Sequence, residues 1–229
     1  MTMRLNADFD QYVVLNTNEI AWEPSPMAGV ERRMLDRIGG EVARATSLVR
    51  YAPESYFSPH THGGGEEFIV LEGSFVDEHG VYPVGSYVRN PVGSSHTPSS
   101  PSGCIIFVKL WQMDKADQTF VRTHVDDLDW QNSAPGAERA RAHMFGGEEV
   151  FYLRLQPGYQ GHLQDHPGGE ETFVISGSFS DENGHFPTGT WVRQPVGSAH
   201  TVVSEEGCLL WLKTGHLHSV EAQIEALPE

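Results

Sequence analysis

Basic side chains and cysteines are scarce in this chain of 229 residues, and long apolar runs are missing. Lys and Arg total 15 against 31 Asp and Glu, a formal net charge of -16. Phosphate backbones and anionic lipid surfaces need positive charge, so neither nucleic acid nor a membrane surface is an expected partner. Two cysteines, Cys104 and Cys208, exclude a disulfide framework. No apolar stretch approaches the roughly 20 residues that span a bilayer. The opening Met1-Thr2-Met3-Arg4-Leu5-Asn6 runs into Asp8 and Asp10, which does not read as a signal peptide, and the expected compartment is the cytoplasm. Neither a G-x-S-x-G elbow, a P-loop nor a dinucleotide fingerprint occurs, and no nucleophilic triad is legible. Any catalysis would therefore fall to a metal.

Helical periodicity is also missing, apart from a turn or two near Val220–Ala226. In its place stand 24 glycines and 14 prolines, spread between short apolar runs such as Phe68-Ile69-Val70-Leu71, Cys104–Val108 and Leu209–Leu212. Short branched and aromatic runs cut by Gly and Pro predict strands and hairpins, hence an all-β sandwich or barrel.

The chain repeats itself. At an offset of 104 residues, Arg50–Lys109 lies without a gap on Arg154–Lys213, and about 28 of the 60 aligned pairs are identical. Shared landmarks are Gly64-Gly65-Glu66-Glu67 with Gly168-Gly169-Glu170-Glu171, Gly73-Ser74-Phe75 with Gly177-Ser178-Phe179, and Pro91–Ser94 with Pro195–Ser198. Upstream, Gly29–Arg32 echoes Gly136–Arg139, with Trp22 and Trp130 ahead of them. Two units are expected, 1–113 and 114–229, each near the usual domain size.

The first unit carries Ser58-Pro59-His60-Thr61-His62-Gly63-Gly64-Gly65-Glu66. Two histidines at i and i+2 on extended chain project from one face. The glycines allow Glu66 to turn toward that face, and His96 arrives after the Pro91–Gly93 turn. Three imidazoles and a carboxylate make a nitrogen/oxygen site for a divalent metal such as Zn, Fe, Mn, Ni or Cu. In the second unit Glu170, His200 and His166 match Glu66, His96 and His62, but Gln164 replaces His60. An amide oxygen ligates a first-row metal less well than imidazole, so weaker binding is expected there. His162, two residues earlier, is a candidate substitute.

These spacings resemble the cupins. His60, His62, Glu66 and Gly73 fit their first motif, and Gly85, Pro91, Gly93 and His96 their second. The leading glycine of the first motif is absent, and Ser100 stands where the second ends in Asn. A narrower likeness, carried by Val30–Asp36, Tyr51-Ala52-Pro53, Asp77–Gly80 and Arg89-Asn90-Pro91, is to the cupin domain of ChrR-type anti-sigma factors, which bind zinc. The resemblance implies two tandem RmlC-like jelly-roll barrels, a bicupin, with zinc inside. The ChrR sigma-binding domain, with its own His/Cys zinc site, finds no counterpart here, so a sigma factor is not an expected partner. Two functions are expected to compete: a zinc-holding regulatory sensor or ligand-binding module, and a non-haem metal-dependent dioxygenase cleaving a small carbonyl or diketone substrate. A small molecule and a second copy of the chain, as a homodimer, are the partners expected.

The remaining candidates have plainer readings. Cys104 and Cys208 read as buried small hydrophobes. Arg89 and Arg193 read first as partners of Glu67 and Glu171, with holding a ligand carboxylate at the barrel mouth as the alternative. Glu67 and Glu171 could orient an imidazole, though alternation would turn them away from the metal face. His79 and His185 read as solvated, His216 and His218 as a polar strand end without an acidic partner, and His124 and His143 as isolated. Phe75, Phe179, Tyr87 and Trp191 read as barrel filling.

Overall fold

The computed structural model describes residues 3–228. The chain divides into two compact units, each an antiparallel jelly roll. The first contains Ala21–Asp127, the segment ending at Ala7 and the segment from Glu221 onward. The second contains Leu128–Val220 together with Asp8–Ile20.

In the first unit the larger sheet runs in the order Met3–Leu5, Val30–Gly39, Ala43–Tyr51, Cys104–Leu110, Glu66–Asp77, Ser86–Asn90, Val121–His124. The 12-residue strand Glu66–Asp77 serves both layers. Its first half pairs with Ser86–Asn90 and Cys104–Leu110, and its second half with Gly80–Pro83 and Ser99. A register shift opposite Ile105/Ile106 bends it between the two roles. The second unit repeats the plan with Glu170–Asp181 as the shared strand. Its sheet is completed by Val13–Asn16, paired to Thr190–Gln194, as Val121–His124 completes the first by pairing to Ser86–Asn90. Each edge that would otherwise show unpaired N–H and C=O groups thereby gains a neighbour.

Alternation sorts the side chains. Phe68, Val70, Phe75, Val88, Ile106 and Val108 form the interior of the first barrel, and Val174, Phe179, Val192, Leu210 and Leu212 that of the second. The residues between them face the other way and are buried as well, among them Glu67, Tyr87, Arg89 and Lys109. Arg89 donates to Glu67 Oε2 at 3.0 Å and to Asp117 Oδ2 at 2.7 Å, and Tyr87 Oη donates to Glu67 Oε2 at 2.8 Å. Arg89 and Glu67 thus form the structural ion pair expected of them, on the face away from the barrel interior.

Gly73 sits where the shared strand meets the turn before Cys104, with φ of 67°, and a Cβ there would overlap the Gly103 carbonyl oxygen. The left-handed backbone alone costs a non-glycine residue about 1–3 kcal/mol, before the overlap is relieved. Gly73→Ala is therefore expected to lower the thermal midpoint sharply or prevent folding. An unchanged melting curve would mean that the strand crossing has room for a side chain at Gly73.

Candidate metal centre

The glycine-rich turn after His62 and the turn at Pro91–Gly93 bring four side chains together in the first barrel. His60–Thr61 pairs with Ser95–His96, setting His60 directly opposite His96. The His62 N–H donates to Ser94 O at 2.8 Å and the Gly93 N–H to His62 O at 2.9 Å, locking the two turns to each other. His60, His62, Glu66 and His96 place one donor atom each within 4.8 Å of one another. The imidazole centroids of His62 and His96 lie 4.6 Å apart, with His60 5.0 and 4.8 Å from them.

Hydrogen bonds fix which imidazole nitrogen faces inward. His96 Nδ1 lies 3.2 Å from Asp77 Oδ2, and His60 Nδ1 lies 3.2 Å from Ser58 O. Both contacts call for N–H at Nδ1 and leave Nε2 as the lone-pair donor. The Nε2 atoms of His62 and His96 are buried without a hydrogen-bond partner, 3.6 and 3.7 Å from Glu66 Oε2. Orphaned polar atoms in a buried site are costly, and a cation bound by both nitrogens and the carboxylate would satisfy them. Burial holds the His62 imidazole below its ordinary pKa, which favours the neutral, ligating form. Burial also pulls His96 down, but the bond to Asp77 together with the charges of Glu66, Asp77 and Glu78 outweighs that and holds it above its ordinary value. Asn90 Nδ2 donates to Glu66 Oε2 at 3.2 Å and orients the carboxylate.

The second barrel gathers His166, Glu170 and His200 within the same span. His200 Nδ1 meets Asp181 Oδ2 at 2.8 Å, and Gln194, the counterpart of Asn90, lies 2.5 Å from the same nitrogen. The Nε2 atoms of His166 and His200 are again buried without partners. Burial pushes His166 down to about 4 and Glu170 up to about 7. Although His166 and Glu170 are only 3.5 Å apart, they therefore do not form an ion pair at neutral pH without a cation. Gln164 stands opposite His200 in the strand pair and lines the adjoining cavity. His162 is exposed and outside the trio, because a register shift between Gln160 and Leu163 breaks the alternation that would have turned it inward.

Two second-sphere acids escaped the sequence reading. Asp77 and Asp181 align between the repeats, but in sequence they look like turn acids beside Glu78 and Glu182. Asp77 accepts from the N–H groups of His79 and Gly80 and from Tyr82 Oη through its other oxygen. Burial alone would raise its pKa, but these bonds and His96 hold it below the ordinary carboxylate value. Asp77→Asn should weaken metal affinity by about 10–100-fold with the fold intact, read by competition with a chromophoric chelator. Unchanged affinity would remove Asp77 from the site.

Other residues fall away from the metal. His79 and His185 are exposed, as expected. His216 is not a polar strand end: it is buried in a helical turn, its Nε2 3.1 Å from Glu171 Oε1. The acidic partner that local spacing lacks arrives from a strand 45 residues away. Glu171 also accepts from Trp191 Nε1 at 3.2 Å, while Arg193 donates to Asp8 O at 2.8 Å and covers the Phe9 ring. Cys104 and Cys208 are free and buried, and burial pushes the Cys208 thiol up to about 11. No helix among the described residues is long and apolar enough to cross a membrane.

Several solved structures share this architecture. A putative dioxygenase from Nostoc punctiforme superposes with a TM-score of 0.75 at 17% identity, covering 91% of this chain and 84% of its own. A bacterial pirin from Escherichia coli in complex with nickel(II) gives 0.65 at 12% identity, covering 89% and 98%. A deletion variant of oxalate decarboxylase from Bacillus subtilis gives 0.59 at 13% identity, covering 88% and 76%. At such identities the likeness is one of fold. No curated protein sequence matches the chain. The ChrR cupin-like domain matches it twice, over residues 10–114 and 118–218, so this two-barrel chain is a member of the ChrR cupin-like family.

Proposed function

We propose that the chain is a divalent-metal-binding bicupin whose first cluster holds zinc, and that it acts as a regulatory sensor or ligand-binding module. The observation that carries this reading is the pair of buried, partnerless Nε2 atoms of His62 and His96 facing Glu66. Four protein donors, with His60 completing the set, match a closed zinc site better than an open catalytic one. When bound, the cation supplies a fixed positive charge that Glu66 balances, and it can polarise an oxygen ligand. The chain's part is orientation: Asp77 aims His96, and Asn90 steadies Glu66.

A second reading, a dioxygenase acting on a small carbonyl or diketone compound, draws on the second cluster. Its three donors leave coordination positions free, and two of them, His166 and Glu170, line a cavity. The similar structure described as a putative dioxygenase is in keeping with this. Metal competition separates the two. Stripped protein is equilibrated with equal amounts of Zn(II), Fe(II), Mn(II) and Ni(II), and the retained ions are counted. Retained zinc, a higher melting temperature and no oxygen uptake support the sensor reading. Retained iron with oxygen uptake on adding acetylacetone would replace it with the dioxygenase.

A further inference from the structure

The repeats differ sharply at one position beside the two clusters. Trp111 and Gly215 occupy equivalent places: their N–H groups donate to Gly65 O and Gly169 O, each at 3.1 Å, and both residues have a left-handed backbone, φ of 59° and 78°. Glycine adopts that conformation freely, whereas for a bulky residue it is an outlier that its surroundings must enforce. Here the enforcing contact is the indole lying across Gly63 and Gly64. A Cβ on Gly63 would come within 2.8 Å of Trp111 Cζ2. The indole therefore covers the glycine turn that carries the first cluster.

In the second unit nothing projects from Gly215, and a cavity of about 550 Å³ opens there. Its walls include the backbone of Gly168 and Gly215 and the side chains of Arg139, Phe151, His166 and Glu170. That volume suits a small molecule. The Arg139 guanidinium lies 3.7 Å over the Phe151 ring, and its Nη2 is 2.6 Å from Glu149 Oε2. Glu149 is shared, because Arg141 Nε meets its other oxygen at 2.6 Å. Two cations on one carboxylate leave the Arg139–Glu149–Arg141 group with a net positive charge, while Asp165 and Glu170 set carboxyl groups in the cavity wall. Asp165 is exposed and lies close enough to His166 to act on it electrostatically.

We propose that this cavity binds a small organic acid, one carboxylate directed at Arg139 and a second oxygen at the cation held by His166, Glu170 and His200. The first barrel, covered by Trp111, would hold metal without ligand. The Arg139 half stands on the cavity alone; the metal half rests on reading the second cluster as a metal site.

Titration calorimetry on the zinc-loaded full chain tests both halves, with malonate as probe and acetylacetone, which has no carboxylate, as a probe of the same oxygen spacing. Metal content is measured for every variant. Malonate is expected to bind once per chain. Arg139→Gln should weaken malonate by about tenfold or more and leave acetylacetone unaffected. Ser219→Trp, at the exposed rim, should block both probes without loss of zinc. Trp111→Gly should add a second malonate site. Absence of malonate binding to loaded protein, or equal binding by Arg139→Gln, would overturn the proposal. Arg139-dependent binding that survives metal stripping would keep the acid site and overturn its metal half.

Discussion

The His96→Ala chain keeps its fold and loses the metal of the first cluster, with affinity there falling by more than the roughly 100-fold that loss of a second-sphere partner can cost. His96 gives the site its best-oriented donor, since Asp77 fixes its tautomer and the His60–His96 strand pair fixes its depth. Alanine removes the nitrogen and leaves Asp77 without its imidazole, while Tyr82 and the two backbone N–H groups still satisfy the other carboxylate oxygen. The second cluster shares none of these residues and should keep its own affinity. Chelator competition on the wild type and the variant checks this. Equal affinity for every metal equivalent in the two proteins would sink the assignment of His96.

Arg89→Met carries a large expected loss of stability. Arg89 is buried between Glu67 and Asp117, and its removal leaves two carboxylates facing each other without their cation. Breaking a buried pair in this way costs about 3–5 kcal/mol. The effect should depend on pH. Burial opposes ionisation of Asp117, but the Arg89 hydrogen bond and charge, with the hydrogen bonds from Thr119, together outweigh it and hold its carboxyl below the ordinary value. A depressed carboxyl stabilises the fold above its unfolded pKa, about 3.9, and that contribution disappears as pH falls through the folded value. The gap between wild type and Arg89→Met in denaturant melts should therefore be full at pH 7 and narrow below about pH 4. A gap independent of pH would mean that Arg89 acts through packing alone.

Much of this architecture is legible in the sequence, for identifiable reasons. The offset between Arg50–Lys109 and Arg154–Lys213 exposes the repeat, and Gly–Pro punctuation with the His60–His62–Glu66–His96 spacing points to cupin barrels. The Arg89–Glu67 pairing follows from strand alternation. Other features need tertiary information. Val13–Asn16 has the same alternation whichever sheet it joins, so nothing local assigns it to the second unit. The partnership of His216 with Glu171 depends on chain returning from far away. The register shift after Gln160 is invisible in the residues themselves, which is why His162 looked like a candidate ligand. The change from Trp111 to Gly215 is plain in the aligned repeats, but its meaning emerges only from the shared left-handed backbone and the cavity beside it.

The most direct measurement is element-resolved metal content per chain, on protein prepared without added metal or affinity-tag histidines. Near-stoichiometric zinc is expected in the first cluster, and that share is expected to be lost in the His96→Ala chain. Transition metal no higher in the wild type than in that variant would contradict it, leaving two cupin barrels whose histidines serve some other end.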